Sequence, residues 1–470
     1  MLNEPTPHES HVVEVKPAQL ISKPELGTEF VVDPIVVDGQ VLRDVVIDVK
    51  RHAGQAAPKK PIPNPDLGLE FVVDEAVIDA FPVPGSRLVE GRYYGMSLWG
   101  RTAKITVELP GGEIVDYFLK AEALGDIGRT MIEGEYESLK AIHGVDPAFA
   151  PFPYAWGKYR DAQPDTYFLL AEFREVGQQP PDPKRFTARL AAMHKKSESP
   201  TGKFGFHVVT CHAKLPQITD CWEDSWEVLY RKQLAYMIEL DEEKHGLWPE
   251  FQHVCRLTLE KLIPRLLRPL QSDGRSIKPC LLHGNLWDEN TATDMVTRKP
   301  FIYDGSSFYG HNEYEIGNWR APRHRLSNRK YVRNYKRVFH PSEPKKEWND
   351  RNLLYSLRYD LATAILIPGC NQRQVVKDNM TLLCKKFCID DLLGFKRIKS
   401  ISLRNRGYDE DEEEEEEEAE EEEEGEETPD DATTLIGSDD GFGLGSKLKS
   451  IALPPHYRIG KARAYHIERT

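Results

Sequence analysis

Asn290 and Asp304 are two hard oxygen donors 14 residues apart, in the run HGNLWDENTATDMVTRKPFIYDGSSFYG. Such oxygens are what Mg²⁺ accepts, and the spacing leaves room for a short hairpin between them. Asp304 closes an apolar stretch, FIYD. A Mg²⁺ site of this kind suggests phosphoryl transfer, which also needs a loop over the nucleotide phosphates and a Lys oriented by a Glu. The Lys candidate is Lys120, which ends the apolar DYFLK. A charge closing a buried strand needs a partner. Glu135 sits one residue before Tyr136 and four before Leu139 on the next helical pattern, so it can flank the buried face; Glu133 is the competitor, and an unpaired surface lysine is the plainer alternative. The loop candidate is EGRYYGMSLWGRTAKI, Glu90 to Ile105. Gly95 and Gly100 permit close backbone approach and Ser97 offers a hydroxyl, although an ordinary hairpin reads the same way. In YFLLAEFREVG, the backbone of Glu172 and Phe173 could meet an adenine; a plain core strand satisfies the same pattern.

The elements that must position these groups follow from periodicity. RTAKITVEL alternates and meets the turn PGGE, and IVDYFLKAE answers as the next strand. GRTMIEGEYESLKAIHG carries Met131, Ile132, Tyr136, Leu139 and Ile142 near helical spacing, and DTYFLLAEF is a short apolar strand. Helical patterns follow: DPKRFTARLAAMHKKS, SWEVLYRKQLAYMIELDEEK, EFQHVCRLTLEKLIPRLLRPLQ and VVKDNMTLLCKKFCIDDLL. Strands followed by helices predict an α+β fold with a small β-rich lobe over 65–175 and a mostly helical lobe over 176–395.

The remaining chain sets limits. PELGTEFVVDPIVVD from Pro24 repeats as PDLGLEFVVDEAVID from Pro65; two copies 41 residues apart are a local duplication, not a solenoid. Residues 1–64 therefore read as an extension, with a Pro- and Lys-rich linker between the copies. The net charge of −14 is local: residues 409–431 hold 19 acids and no base, and without them the chain carries +5. That run cannot bury a core, so 396–470 reads as a disordered acidic tail with a basic end. A balance of +5 with no recognition module gives no case for nucleic acid. No apolar run is long enough to span a bilayer, and the N-terminus lacks the pattern of a secretory signal. Seven scattered cysteines suggest a reduced, cytoplasmic chain.

LLHGNLWDEN followed by FIYDGSSFYGHNEYEIGNWR resembles the fructosamine kinase (ketosamine-3-kinase) family, whose usual form is HGDLWxxN and then an FYGHxExEL-like stretch. YFLKAE, MIEGEYESLKAI, LAAMHKKSESPTGKFGF, PQITDCWEDSWEVLY and RYDLATAILIPG match in family order, so the resemblance covers about residues 65–395. EYEIGNWRAPRHRL looks most like fungal members. The resemblance implies a protein-kinase-like, aminoglycoside-phosphotransferase-like fold. It implies ATP and Mg²⁺ as cofactors, and as substrate a ketosamine, the ribulosamine or fructosamine adduct of a protein lysine or small amine. The sugar's 3-hydroxyl is phosphorylated and the adduct then falls apart, a deglycation repair. Gly95, Ser97, Lys120, Glu135, Glu172 and Phe173 would serve the nucleotide and Asn290 and Asp304 the metal; Trp287, Trp226, His311 and Glu313 would stand near the sugar.

One position departs. The family's catalytic base is the Asp of HGD, and here it is Asn285. An amide accepts no proton at neutral pH. Loss of a general base predicts turnover cut by roughly two to four orders of magnitude, with binding kept, since positioning and electrostatics supply most of phosphoryl-transfer catalysis. Asp288, three residues on, is the neighbour that could replace it. The alternative function is a pseudokinase, a nucleotide-binding scaffold.

Overall fold

Alternating sequences build the first lobe. The computed structural model describes residues 35–37, 40–42, 66–95, 99–177 and 179–394; Ser97, most of the first repeat copy and the acidic run lie outside them. Strands β1 (Asp66–Glu70), β2 (Arg87–Tyr94), β3 (Arg101–Glu108), β4 (Ile114–Glu122), β5 (Pro153–Lys158) and β6 (Tyr167–Glu172) form an antiparallel sheet in the order β1-β2-β3-β4-β6-β5. The period of two sorts its faces. Tyr117, Leu119 and Ala121 of β4 join Ala103, Ile105, Val107, Phe168 and Leu170 in one small core. Lys120 and Glu122 therefore point to the other face, where helix α1 (Asp126–Val145) packs. That helix buries Met131, Ile132, Glu135, Leu139 and Ile142, as the apolar spacing requires.

The second lobe is mostly helical: α2 (Pro183–Lys196), α3 (Trp226–His245), α4 (Arg329–Val338), α5 (Trp348–Leu366) and α6 (Gln372–Phe387). The start of α2 is written in its sequence. Asp182 accepts the Arg185 backbone N–H, Pro183 opens the helix, and His194, Lys195 and Lys196 face its negative end. The stretch from Glu250 to Gln271, read as one helical pattern, is broken. An α segment, Pro249–Leu257, widens into a π turn, Thr258–Leu262, then returns to α over Ile263–Leu267 and tightens over Arg268–Gln271. Pro264 explains the break: it has no N–H to give and its ring crowds the carbonyl four residues back, in the π turn.

Short strands carry the loops that hold Asn285, Asn290 and Asp304. Cys280–Leu282 pairs antiparallel with Phe308–Gly310 in a four-stranded sheet. The hairpin Thr291–Thr293 with Pro300–Ile302 lies between Asn290 and Asp304, as their spacing predicts.

Candidate active site

Three distant segments meet at one ammonium group. The Lys120 Nζ donates to Glu135 Oε2 at 2.7 Å and to Asp304 Oδ1 at 2.6 Å, and lies 4.0 Å from Glu122 Oε1. Glu133 takes no part; it faces Arg129 along the outer side of α1. Burial works against the Lys120 charge, but Asp304, Glu135 and Glu122 outweigh it and raise its pKa well above the ordinary lysine value. Burial also presses on Asp304, yet the lysine pulls that carboxyl below its usual range. Asp304 holds a left-handed backbone, φ +57°, which is costly for a residue with a Cβ. The following loop is pinned from α1, where Ser138 Oγ accepts the Ser307 backbone N–H at 2.8 Å.

Glu122 is the group that sequence reading passed over. It is fully buried, and among the described residues neither carboxylate oxygen has a hydrogen-bond partner. Burial pushes its pKa up to about 7, against the pull of Lys120. A Cβ on Gly100 would meet this carboxylate at 2.4 Å, so the end of the glycine-containing loop lies directly on it. The available signal was the spacing: two residues after Lys120 on a strand means the same face.

The loop after Cys280–Leu282 is held by its backbone. Glu315, fully buried, accepts the N–H of His283 at 2.5 Å and of Gly284 at 3.1 Å. Gly284 adopts φ +81°, and a Cβ there would lie 2.1 Å from the Ser306 carbonyl oxygen, so only glycine fits. His283 bonds the Tyr303 carbonyl through Nε2 at 2.9 Å; the carbonyl can only accept, so that nitrogen carries the proton. Its Nδ1 then accepts the Asn285 N–H at 3.3 Å. Burial lowers the His283 pKa, which keeps this tautomer neutral. Asn290 spends its amide nitrogen on the carbonyls of Asn285 (2.8 Å) and Asp304 (3.4 Å). Two acceptors on one side fix the amide's orientation, leaving its oxygen for a cation beside the Asp304 carboxylate. This donor set fits Mg²⁺, which takes few protein oxygens and completes its shell with phosphate and water. Asp288 is turned elsewhere: its Oδ1 accepts the Leu326 N–H at 3.1 Å.

The other predicted residues divide. Gly95, φ +77°, ends β2 and opens the loop. Glu172 ends β6; its N–H reaches the Phe152 carbonyl and its carboxylate accepts from Phe152 N and Arg174. The Phe173 ring meets Tyr94 edge-on at 4.9 Å. Trp287 is half-buried, its ring 5.4 Å from that of His324. Trp226, His311 and Glu313 are instead in the core, without open surface for a sugar. Trp226 Nε1 donates to Tyr355 Oη at 2.8 Å, His311 bridges Tyr355 Oη and Ser342 Oγ at 2.9 Å each, and Glu313 pairs through both oxygens with Arg351 at 2.8 and 3.0 Å. Packing accounts for these three: they lock α5 against α3 and the segment after Phe308–Gly310.

A family model described as fructosamine kinase matches residues 102–384. A chloroplastic protein-ribulosamine 3-kinase from rice (Oryza sativa subsp. japonica) is 34% identical over 207 residues, 44% of this chain and 56% of the relative. Ketosamine-3-kinase from mouse (Mus musculus) is 34% identical over 220 residues, 42% of this chain and 65% of the relative. The matches thus span less than two thirds of either relative. Among solved structures, a candidate fructosamine-3-kinase from Thermobifida fusca superposes with a TM-score of 0.51 at 20% identity, covering 67% of this chain and all of that one. The fold is therefore the two-lobed, protein-kinase-like one.

Proposed function

The chain belongs to the fructosamine kinase family, and on that premise we propose that it transfers the γ-phosphoryl group of Mg·ATP to the 3-hydroxyl of ketosamines, the ribulosamine or fructosamine adducts of protein lysines. The observation that carries this reading is the Lys120 ammonium shared between Glu135 and Asp304, with Asn290 tied to the backbone of both Asn285 and Asp304. These are the parts that phosphoryl transfer needs, drawn from segments far apart in sequence. Bound Mg²⁺ would neutralise charge on the phosphate oxygens, held by Asp304 and the Asn290 amide oxygen. Lys120, steadied by Glu135, then turns from Asp304 to the phosphates. Gly95 and Ser97 serve the loop over them, and Glu172 with Phe173 borders the adenine. Trp287 is the candidate wall for the sugar.

Asn285 stands where a carboxylate would take the hydroxyl proton. Its amide oxygen can orient that hydroxyl but cannot hold its proton, so the proton leaves to water or phosphate and the reaction is slowed, not redirected. Asp288 does not substitute in this arrangement, because its carboxylate caps the Leu326 turn. That contact favours a second reading: a scaffold that binds nucleotide and ketosamine with little turnover. The test common to both is thermal denaturation with Mg·ATP. Both readings expect a rise in Tm that Lys120→Met diminishes at the same nucleotide concentration; no rise in the parent protein would remove the kinase reading.

A further inference from the structure

A tight hairpin, Cys211–His212 with Leu215–Pro216, stands beside the catalytic residues. Gly134 of α1 lies against its approach, where a Cβ would meet the Val209 carbonyl oxygen at 2.9 Å. Lys214 at its tip sits over the Trp99 ring, 4.8 Å from the centroid, reaching the end of the glycine-containing loop. Gln217 anchors its base to the Asp304 loop through the Ser306 carbonyl at 3.3 Å. The turn is strained: Ala213 has φ +50°, a left-handed conformation that is unfavourable for a non-glycine residue. Something holds the hairpin in this shape, and its residue nearest the chemistry is His212.

The state of that imidazole is fixed by its partner. Arg358 of α5 is 1% exposed and donates to Gln217 Oε1 at 2.5 Å and to His212 Nδ1 at 3.4 Å. A guanidinium has no acceptor, so Nδ1 must accept and the ring proton must sit on Nε2. The residue is partly exposed, and among the described residues its ring has one hydrogen-bond partner, Arg358 at Nδ1. Burial, reinforced by Arg358, pushes the His212 pKa down to about 3, so the ring stays neutral. It lies within electrostatic reach of Asp304, Arg323 and His324. The His324 ring in turn faces Trp287. His212 thus sits on a hairpin tied through Gln217 to the loop that carries Asp304.

We propose that His212 is a positioning and specificity residue for the acceptor: its Nε2–H, locked by Arg358, donates to a carbonyl or hydroxyl oxygen of the ketosamine sugar bound beside Asp304. This rests on the function proposed above. A neutral donor suits an uncharged polyol; a cationic ring would compete with Lys120 and Mg²⁺ for phosphate.

The test is calorimetric binding of Nα-acetyl-fructosyl-lysine and of AMP-PNP with Mg²⁺ to the full chain and three variants. His212→Ala is expected to weaken the ketosamine about tenfold, as loss of one well-placed hydrogen bond does, and to leave the nucleotide within about twofold. His212→Asn keeps an acceptor toward Arg358 but loses the donor, and should bind ketosamine as poorly as Ala. His212→Gln carries an amide to the Nε2 position and should recover most of the affinity. If Ala does not fold, the Asn and Gln pair decides. Equal ketosamine affinity in the parent and Asn forms, or equal losses for ketosamine and nucleotide, would overturn the inference alone. A parent protein that binds nucleotide but no ketosamine would overturn the proposed substrate and this inference with it.

Discussion

Lys120 and Asp304 are 184 residues apart in the chain and 2.6 Å apart in the fold. The contact closes the cleft between β4 and the loop after Pro300–Ile302, and it is an exchangeable one. On the proposed function, bound Mg·ATP would let Asp304 exchange the ammonium for the metal and Lys120 exchange Asp304 for phosphate, while Glu135 keeps its bond. Lys120→Met should therefore weaken Mg·AMP-PNP by roughly 10–100-fold, the worth of a charge-assisted hydrogen bond, measured by calorimetry. The variant should still fold, because Glu122 and Glu135 can take up protons once the cation is gone.

Glu122 gives that cluster a pH dependence. In the unfolded chain this carboxyl ionises near its ordinary value, 4.5; in the fold it ionises near 7. Below 4.5 both states hold the proton. Between 4.5 and 7 the folded state holds it and the unfolded state does not, so stability falls as pH rises through that window and stays lower above it. Relative to Glu122→Gln, the parent protein should lose roughly 2–3 kcal/mol between pH 5 and pH 8, most of the value of the shift. Urea unfolding of both proteins at the two pH values checks this; parallel curves would mean that Glu122 keeps an ordinary pKa in the fold.

The buried pair Glu313–Arg351 should act on stability, not on substrate. Both side chains are almost wholly buried, 2% and 0% exposed, and joined by two hydrogen bonds. Removing one partner strands a buried charge, so Arg351→Met should cost roughly 3–5 kcal/mol, read from denaturant midpoints. Ketosamine affinity in the folded variant should match the parent. A specific loss of ketosamine binding at unchanged stability would restore Glu313 to the substrate site.

Much of this architecture is legible in the residues themselves. The β3–β4 hairpin, α1 and the Asn290–Asp304 spacing follow from period two, period 3.6 and turn chemistry. Helix α5 left no such trace. It is buried over most of its surface, from Trp348 to Ile365, so its sequence lacks the polar stripe that marks a surface helix. For the same reason Trp226, His311 and Glu313 read as site residues: aromatic and polar side chains that bond across a core look like binding groups until their partners, Tyr355, Ser342 and Arg351, are in view. Glu122, Glu315 and His212 were hidden in the opposite way. Each matters through what the fold sets beside it: an ammonium at 4.0 Å, two loop N–H groups, and a buried guanidinium.

On the proposed function, a single amide, Asn285, holds back a ketosamine kinase. The most direct measurement compares Mg·ATP-dependent phosphorylation of a small ribulosamine by the parent protein and by Asn285→Asp. The aspartate should raise turnover by roughly 10²–10⁴-fold, with nucleotide affinity nearly unchanged. An Asn285→Asp protein that binds nucleotide yet transfers phosphate no faster than the parent would contradict it.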